Sequence, residues 1–150
     1  MRHQSIWAAT FALPQFTPLQ ANVHTDVSIV GAGIAGLSTA YMLARAGKRV
    51  AVLDDGAVAG GMTQMTPAHL THGMDDLYLE REKLHGREGA PLPADSHTAA
   101  IDRIETIVKQ AHIECDFQRV DGYLFLAEGD RPGTLERELE AAHRAGLRAV

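Results

Sequence analysis

A glycine-rich run, Gly31-Ala32-Gly33-Ile34-Ala35-Gly36, constrains this chain more than any other feature of its sequence. It follows the segment 26–30, in which Val27, Ile29 and Val30 predict a buried strand, and it precedes apolar positions at helical spacing that end near Gly47. A second strand pattern covers 48–54. Strand, helix and strand thus follow one another within about 30 residues, the usual length of a right-handed crossover between parallel strands. The pattern predicts an α/β fold.

The spacing G-x-G-x-x-G is typical of a loop that binds the pyrophosphate of a dinucleotide. Gly31 permits the tight turn, Gly33 lets a phosphate approach the backbone, and Gly36 lets the helix pack closely on the strand. Ile34 and Ala35 lie at the positive end of the predicted helix, whose free N–H groups stabilise an anion. The sequence therefore predicts a Rossmann-like βαβ unit with a dinucleotide site. A tight glycine turn without a ligand is the alternative.

An acidic residue, Asp54, ends the second strand pattern 23 positions after Gly31, close to the ~20 positions expected for such a site. Its carboxylate can accept hydrogen bonds from ribose hydroxyls and disfavours a 2′-phosphate. We include the adjacent Asp55 among the predicted cofactor-binding residues.

The composition narrows the classes of function. The chain has 150 residues and a formal net charge of −5, so we expect no nucleic-acid partner. Its single cysteine, Cys115, excludes an intrachain disulfide and favours a cytoplasmic location. The eight histidines lack metal-ligand spacing, so no metal site is predicted. No apolar run approaches the ~18–20 residues that a membrane-spanning helix needs, so no membrane association is expected.

The chain divides into an irregular N-terminal lead-in, 1–25, and one folded region, 26–150. A glycine-rich loop is predicted over 55–73, and loops of this length are usually functional. Three helices are then predicted, over 75–86, 93–112 and 133–145. Strand patterns predict a hairpin over 117–127 and a further strand that begins at 147.

The segments 26–44 and 50–54 resemble the N-terminus of FAD-dependent oxidoreductases of the D-amino-acid oxidase type. In that family a glycine-rich loop after the second strand touches the pyrophosphate and the flavin, and Gly60-Gly61-Met62-Thr63 looks like this loop. The resemblance implies FAD as the cofactor and adds Gly61, Met62 and Thr63 to its binding residues. It also implies that His69 packs near the cofactor or hydrogen-bonds to it, with covalent attachment of FAD as the less favoured alternative.

Further similarity suggests the branch of this family whose members often carry a C-terminal Rieske iron–sulfur domain. It lies at 5–7, 66–70, 84–86, 96–102 and 115–125. Family members resemble one another over several hundred residues, which implies that 26–150 is the N-terminal part of a truncated FAD-binding domain. The implied fold is a Rossmann-like FAD-binding βαβ unit with a mainly helical insertion and the start of a substrate-domain sheet. Missing C-terminal segments or a Rieske domain would be its partners.

The resemblance implies an oxidoreductase that transfers hydride from a C–N bond of an amine or amino acid to the flavin. Its catalytic residues cannot be identified from the sequence, and the 150-residue chain alone is expected to be inactive. Two alternatives stay open, an inactive nucleotide-binding fragment and an NAD-dependent dehydrogenase domain. The dehydrogenase is disfavoured because Gly60-Gly61-Met62-Thr63 and the long loop that follows have no place in a simple NAD domain. Such a domain would also continue with regular βα units soon after Asp54, whereas the pattern over 75–120 is mainly helical.

Overall fold

The computed structural model describes residues 5–73 and 75–148, in two compact units, one up to His69 and one from Leu70. The first unit contains α1 (Ile6–Thr10), β1 (Val27–Val30), α2 (Ile34–Arg45), β2 (Val50–Leu53) and a 3₁₀ helix (Thr63–Met65). The second contains α3 (Tyr78–Gly89), α4 (Pro91–Gln110) and α5 (Thr134–Arg144). Within the described ranges, no helix combines the length and the apolar character needed to cross a membrane.

The two strands pair in parallel, in a register that joins Val27 to Val50 and Val30 to Leu53. Helix α2 connects them and packs against both, which confirms the predicted strand–helix–strand order. An ion pair at the start of the sheet, with Arg49 Nη2 2.8 Å from Asp26 Oδ1, holds the two strand entries together. This hydrogen-bonded contact with Arg49 lowers the pKa of Asp26 below its usual value.

Helix α2 ends as the sequence predicts. Gly47 has a φ of 78°, in the left-handed region that glycine adopts at little cost, and its N–H donates to the carbonyl of Ala44 at 2.9 Å. The chain then turns directly into β2.

The second unit is built on small side chains. The buried cluster of this unit consists of Tyr78, Ala94, Ala141, Ala142 and Ala145. The Glu138 carboxylate is also buried, and it accepts the backbone N–H of Tyr78 at the start of α3. Short alanine side chains allow α5 to approach α3 closely, so the contact between these helices dominates the unit.

The three predicted helices of this region are present with shifted ends. The first was predicted to end at Gly86, where the structure has a kink instead, with φ 70° and ψ 170°, and α3 resumes as far as Gly89. Helix α4 begins at Pro91, two residues earlier than predicted, with proline in the first turn, where its missing N–H costs no hydrogen bond.

The predicted hairpin over 117–127 is wrong, since this segment contains no strand. Its side chains are mostly exposed, with Val120, Tyr123 and Phe125 at 82%, 84% and 79%. A two-stranded hairpin is marginal unless another element covers its apolar face, and no described residue does so here. The expected start of a substrate-domain sheet is therefore not formed. Residues 147 and 148 are also outside any strand, and 149–150 lie outside the described residues.

The N-terminal lead-in, which was expected to be irregular, contains α1. Ser5 caps this short helix by accepting the N–H of Ala8 on its hydroxyl at 3.2 Å. Residues 11–25 have no regular secondary structure. The predicted loop over 55–73 is confirmed, apart from the 3₁₀ turn.

Candidate functional site

The turn between β1 and α2 requires glycine at two of its positions. Gly31 has a φ of 101°, where side chains other than glycine are strained, and its N–H donates to the carbonyl of Leu53 at 2.7 Å. A Cβ on Gly36 would lie 1.9 Å from the carbonyl oxygen of Gly31, far inside contact distance. The helix can therefore follow the strand this closely only because residue 36 has no side chain.

The N-terminus of α2 has N–H groups that the helix itself cannot use. Gly33, the residue before the helix, provides no side-chain cap. The N–H of Ile34 donates to Thr63 Oγ1 at 3.0 Å. For the next two N–H groups, those of Ala35 and Gly36, no acceptor is found among the described residues. These two donors and the helix dipole point to an anion at this position.

Asp54 follows β2 and holds the glycine turn from the other side. Its Oδ2 accepts the N–H of Ala32 at 2.6 Å, and its Oδ1 accepts the N–H of Gly56 at 2.8 Å. The hydrogen bond from Ala32, and next the one from Gly56, lower the pKa of Asp54 by stabilising its ionised form. A carboxylate can accept about four hydrogen bonds, so two acceptor positions remain for a ligand.

These elements surround a cleft of about 410 Å³. Six of the predicted cofactor-binding residues line it, namely Gly33, Asp54, Asp55, Gly61, Met62 and Thr63. The other predicted residues of the glycine turn, Gly31, Ile34, Ala35 and Gly36, are not part of the lining and contribute through the backbone geometry described above. His69 does not line the cleft either.

The sequence analysis missed Gly56 and Ala57, which also line the cleft. Their only sequence signal is their position immediately after the two aspartates. Gly60 lines it as well, and a Cβ there would lie 2.7 Å from the carbonyl oxygen of Ala57. The N–H of Ala59 donates to the carbonyl of Ala32 at 2.8 Å, so the loop after β2 is fixed against the glycine turn.

The residues present fit the ADP portion of FAD. The volume lies within the roughly 300–1,000 Å³ of small-molecule sites, and the lining combines several glycines with the Asp54 carboxylate. A Cβ on Gly33 would lie 3.2 Å from Thr63 Oγ1, and both residues line the cleft. Larger side chains at position 33 would fill this space.

Other candidate sites are weaker. Across residues 5–73 and 75–148, no group of three or more histidine, cysteine or acidic side chains is placed to hold a metal ion. Cys115 is exposed and free.

Comparison with known proteins is consistent with this geometry. The sequence model of the family described as FAD dependent oxidoreductase matches residues 26–150. The Bacillus subtilis protein YhfW, which is named as a Rieske 2Fe-2S iron-sulfur protein, is 33% identical over 144 residues, covering 96% of this chain and 28% of its own. The gamma-glutamylputrescine oxidoreductase of Escherichia coli is 30% identical over 132 residues, covering 87% of this chain and 30% of its own.

A shorter match is to the sarcosine oxidase subunit alpha of Corynebacterium sp. strain P-1, which is 46% identical over 54 residues, or 36% of this chain and 6% of its own. No solved structure matches the chain significantly. The chain thus spans 28% of the length of YhfW and 30% of the length of the Escherichia coli oxidoreductase. Because the family match covers the glycine turn, the loop after β2 and the helices that follow, the chain belongs to the FAD-dependent oxidoreductase family of the D-amino-acid oxidase type.

Proposed function

We propose that this chain forms the ADP-binding part of the FAD site in an oxidoreductase that oxidises a C–N bond of an amine or amino acid. The observation that carries the proposal is the cleft between the N-terminus of α2 and the loop after β2. Gly33, which precedes α2, and Asp54 line this space of suitable size, and the next two N–H groups of the helix, those of Ala35 and Gly36, have no acceptor among the described residues. The family to which the chain belongs uses FAD.

Each group has a role that follows from its position. The N–H groups of Ala35 and Gly36 donate to the pyrophosphate, since an anion is most stable at the start of a helix. The free acceptor positions of Asp54 take the ribose hydroxyls. Asp55 and Met62 form the sides of the cleft.

The remaining predicted residues support this arrangement. Gly31 and Gly33 keep the backbone close to the phosphates, and Gly61, with a φ of 58°, turns the loop. Thr63 fixes this loop to the start of α2. His69 stays a predicted neighbour of the cofactor.

The bound flavin would supply the redox chemistry by accepting hydride from the substrate. The residues of this chain bind the ADP half and orient it. The names of two relatives, a gamma-glutamylputrescine oxidoreductase and a sarcosine oxidase subunit, support an amine or amino-acid substrate. The name of YhfW supports a Rieske domain or further C-terminal segments as partners. The single cysteine supports a cytoplasmic location.

The proposal is tested by incubating the purified chain with FAD, removing free FAD by desalting and recording visible absorbance, with ADP binding followed by calorimetry. We expect the wild type to bind ADP and to retain flavin, and Gly33→Leu to lose both. The control is Gly122→Ala, at a glycine whose added Cβ meets no atom within 4 Å. A wild type that binds neither nucleotide, or a Gly33→Leu variant that binds both normally, would refute the proposal.

A further inference from the structure

The short helix α1 precedes the residues that the family model matches, yet it is joined to the loop that follows the cleft. Trp7 Nε1 donates to the carbonyl oxygen of Thr66 at 2.7 Å, across 59 positions of sequence. Helix α1 also contacts the 3₁₀ helix Thr63–Met65. A segment of five helical residues has too little intrinsic stability to hold its place, so these tertiary contacts position it.

Between α1 and this loop lies a second cavity, of about 330 Å³. We call it the apolar cavity, because apolar atoms make up almost all of its lining. Its walls include Trp7, Phe11, Leu13, Ala59 and Ala68. The only N–H of the Trp7 side chain is used by Thr66, so the indole presents apolar surface to the cavity.

Thr63 connects the two cavities. It lines both the cleft and the apolar cavity, and its hydroxyl accepts the N–H of Ile34 at the start of α2. A polar site that contains the Asp54 carboxylate and an apolar site with aromatic walls therefore meet at one residue. A single ligand with a polar end and an apolar, planar end would match both.

We infer that the apolar cavity holds the dimethylbenzene edge of the flavin ring, so that the N-terminal segment 5–13 is part of the FAD site. This inference rests on the proposed function, which places the ADP half of the same molecule in the cleft. Trp7 and Phe11 offer aromatic faces and edges, against which a planar ring packs in offset or edge-to-face geometry. The methyl groups of the flavin are apolar and gain by leaving water.

The test compares the dissociation constants of FAD and ADP, measured by calorimetry, on the 150-residue chain. We expect Phe11→Ala and Trp7→Ala to weaken FAD binding about tenfold, as truncating a buried aromatic contact does, and to leave ADP binding unchanged. Phe16→Ala is the matched control, because Phe16 belongs to the same lead-in, 1–25, is 72% exposed and does not line the apolar cavity.

The outcomes separate this inference from the proposed function. Selective weakening of FAD in Phe11→Ala and Trp7→Ala, but not in Phe16→Ala, supports the inference. If the wild type binds both nucleotides and neither variant changes the ratio of the two constants, the inference is wrong and the ADP site stands. If the wild type does not bind ADP, the proposed function is refuted and the inference with it. Unchanged ADP binding in the variants shows that they are folded.

Discussion

Glu138 accepts the backbone N–H of Tyr78 at 2.6 Å through Oε1, although the two residues are 60 positions apart in sequence. Its Oε2 accepts the N–H of Leu79 at 3.0 Å. Leu77, the residue before helix α3, provides no side-chain cap. The Glu138 carboxylate on α5 caps the helix instead. Negative charge at a helix N-terminus is favourable, and the buried position of Glu138 shields the contact from solvent.

Replacing Glu138 by alanine should lower the free energy of unfolding by about 1–3 kcal/mol, because two N–H groups lose their acceptor in a region with little access to water. Urea unfolding followed by circular dichroism measures the change. The matched control is Glu140→Ala, which removes an exposed carboxylate 3.7 Å from Arg144 on the same helix and should cost at most about 0.5 kcal/mol. Equal losses in the two variants would contradict the role given to Glu138.

Gly36→Ala should disrupt the first unit. The new Cβ would overlap the carbonyl oxygen of Gly31, and forcing extra volume into a close contact typically costs about 1–3 kcal/mol. We also expect loss of FAD retention, since α2 would have to move away from the turn. Thermal unfolding and visible absorbance after desalting measure the two effects. Gly122→Ala adds the same methyl group in open space and should leave both unchanged.

Thr63→Val tests the link between the loop and α2. Valine keeps the shape of the side chain but removes the oxygen that accepts the N–H of Ile34, which should lower the free energy of unfolding by about 0.5–1.5 kcal/mol. Thr63→Ser retains the hydroxyl and should recover most of this loss. Were serine and valine equally destabilising, the hydrogen bond would not be the cause. Chemical denaturation of the three proteins provides the measurement.

The pKa of Asp54 predicts how FAD binding depends on pH. Backbone donation from Ala32 and Gly56 lowers this pKa below its ordinary value of 3.8, so in the folded chain the carboxylate stays ionised at pH values where a free aspartate is already protonated. The contribution of Asp54 to the site is therefore complete from pH 8 to 5 and is lost only as the pH falls through the lowered pKa.

The measurement is the ratio of FAD affinities of the wild type and Asp54→Asn, so that titration of the ligand itself cancels. We expect a constant ratio from pH 8 to 5 and a decline towards one only at pH values below 3.8, as the carboxylate becomes protonated. Asp95→Asn, at an exposed position on α4, should show a ratio of one throughout. A ratio that already changes between pH 7 and 5 would mean that another group controls binding.

The βαβ unit was predictable because its signals are local. Strand patterns, the glycine spacing and the acidic residue after β2 each depend on a short stretch of sequence, and the structure places them as predicted. The hydrogen bonds that Asp54 accepts from the backbone of Ala32 and Gly56 were not predictable, since they depend on how the loop after β2 folds back. Nothing in the local pattern shows that the N–H groups of Ala32 and Gly56 donate to this carboxylate.

Predictions that needed partners from elsewhere were less successful. The alternation over 117–127 indicated strands, but a strand is stable only when other strands or helices pair with it or cover it. Helix α1 is the converse case, because contacts with distant residues stabilise an element that the local sequence pattern does not predict. Few periodic positions marked it as a helix, and its contact through Trp7 with Thr66 lies 59 residues away. The capping of α3 by Glu138 likewise cannot be predicted from a local pattern, because Glu138 lies 60 positions from Tyr78 in sequence.

The parallel register of β1 and β2 also bears on how the chain folds. The paired residues Val27 and Val50 are only 23 positions apart, and α2 occupies most of that interval. Once the helix forms, the chain left to close is short, so the entropy lost in bringing the strands together is small. Contacts of low sequence separation form quickly. We therefore expect the glycine turn to assemble early in folding, before the long-range contacts that join Trp7 to Thr66 and α5 to α3.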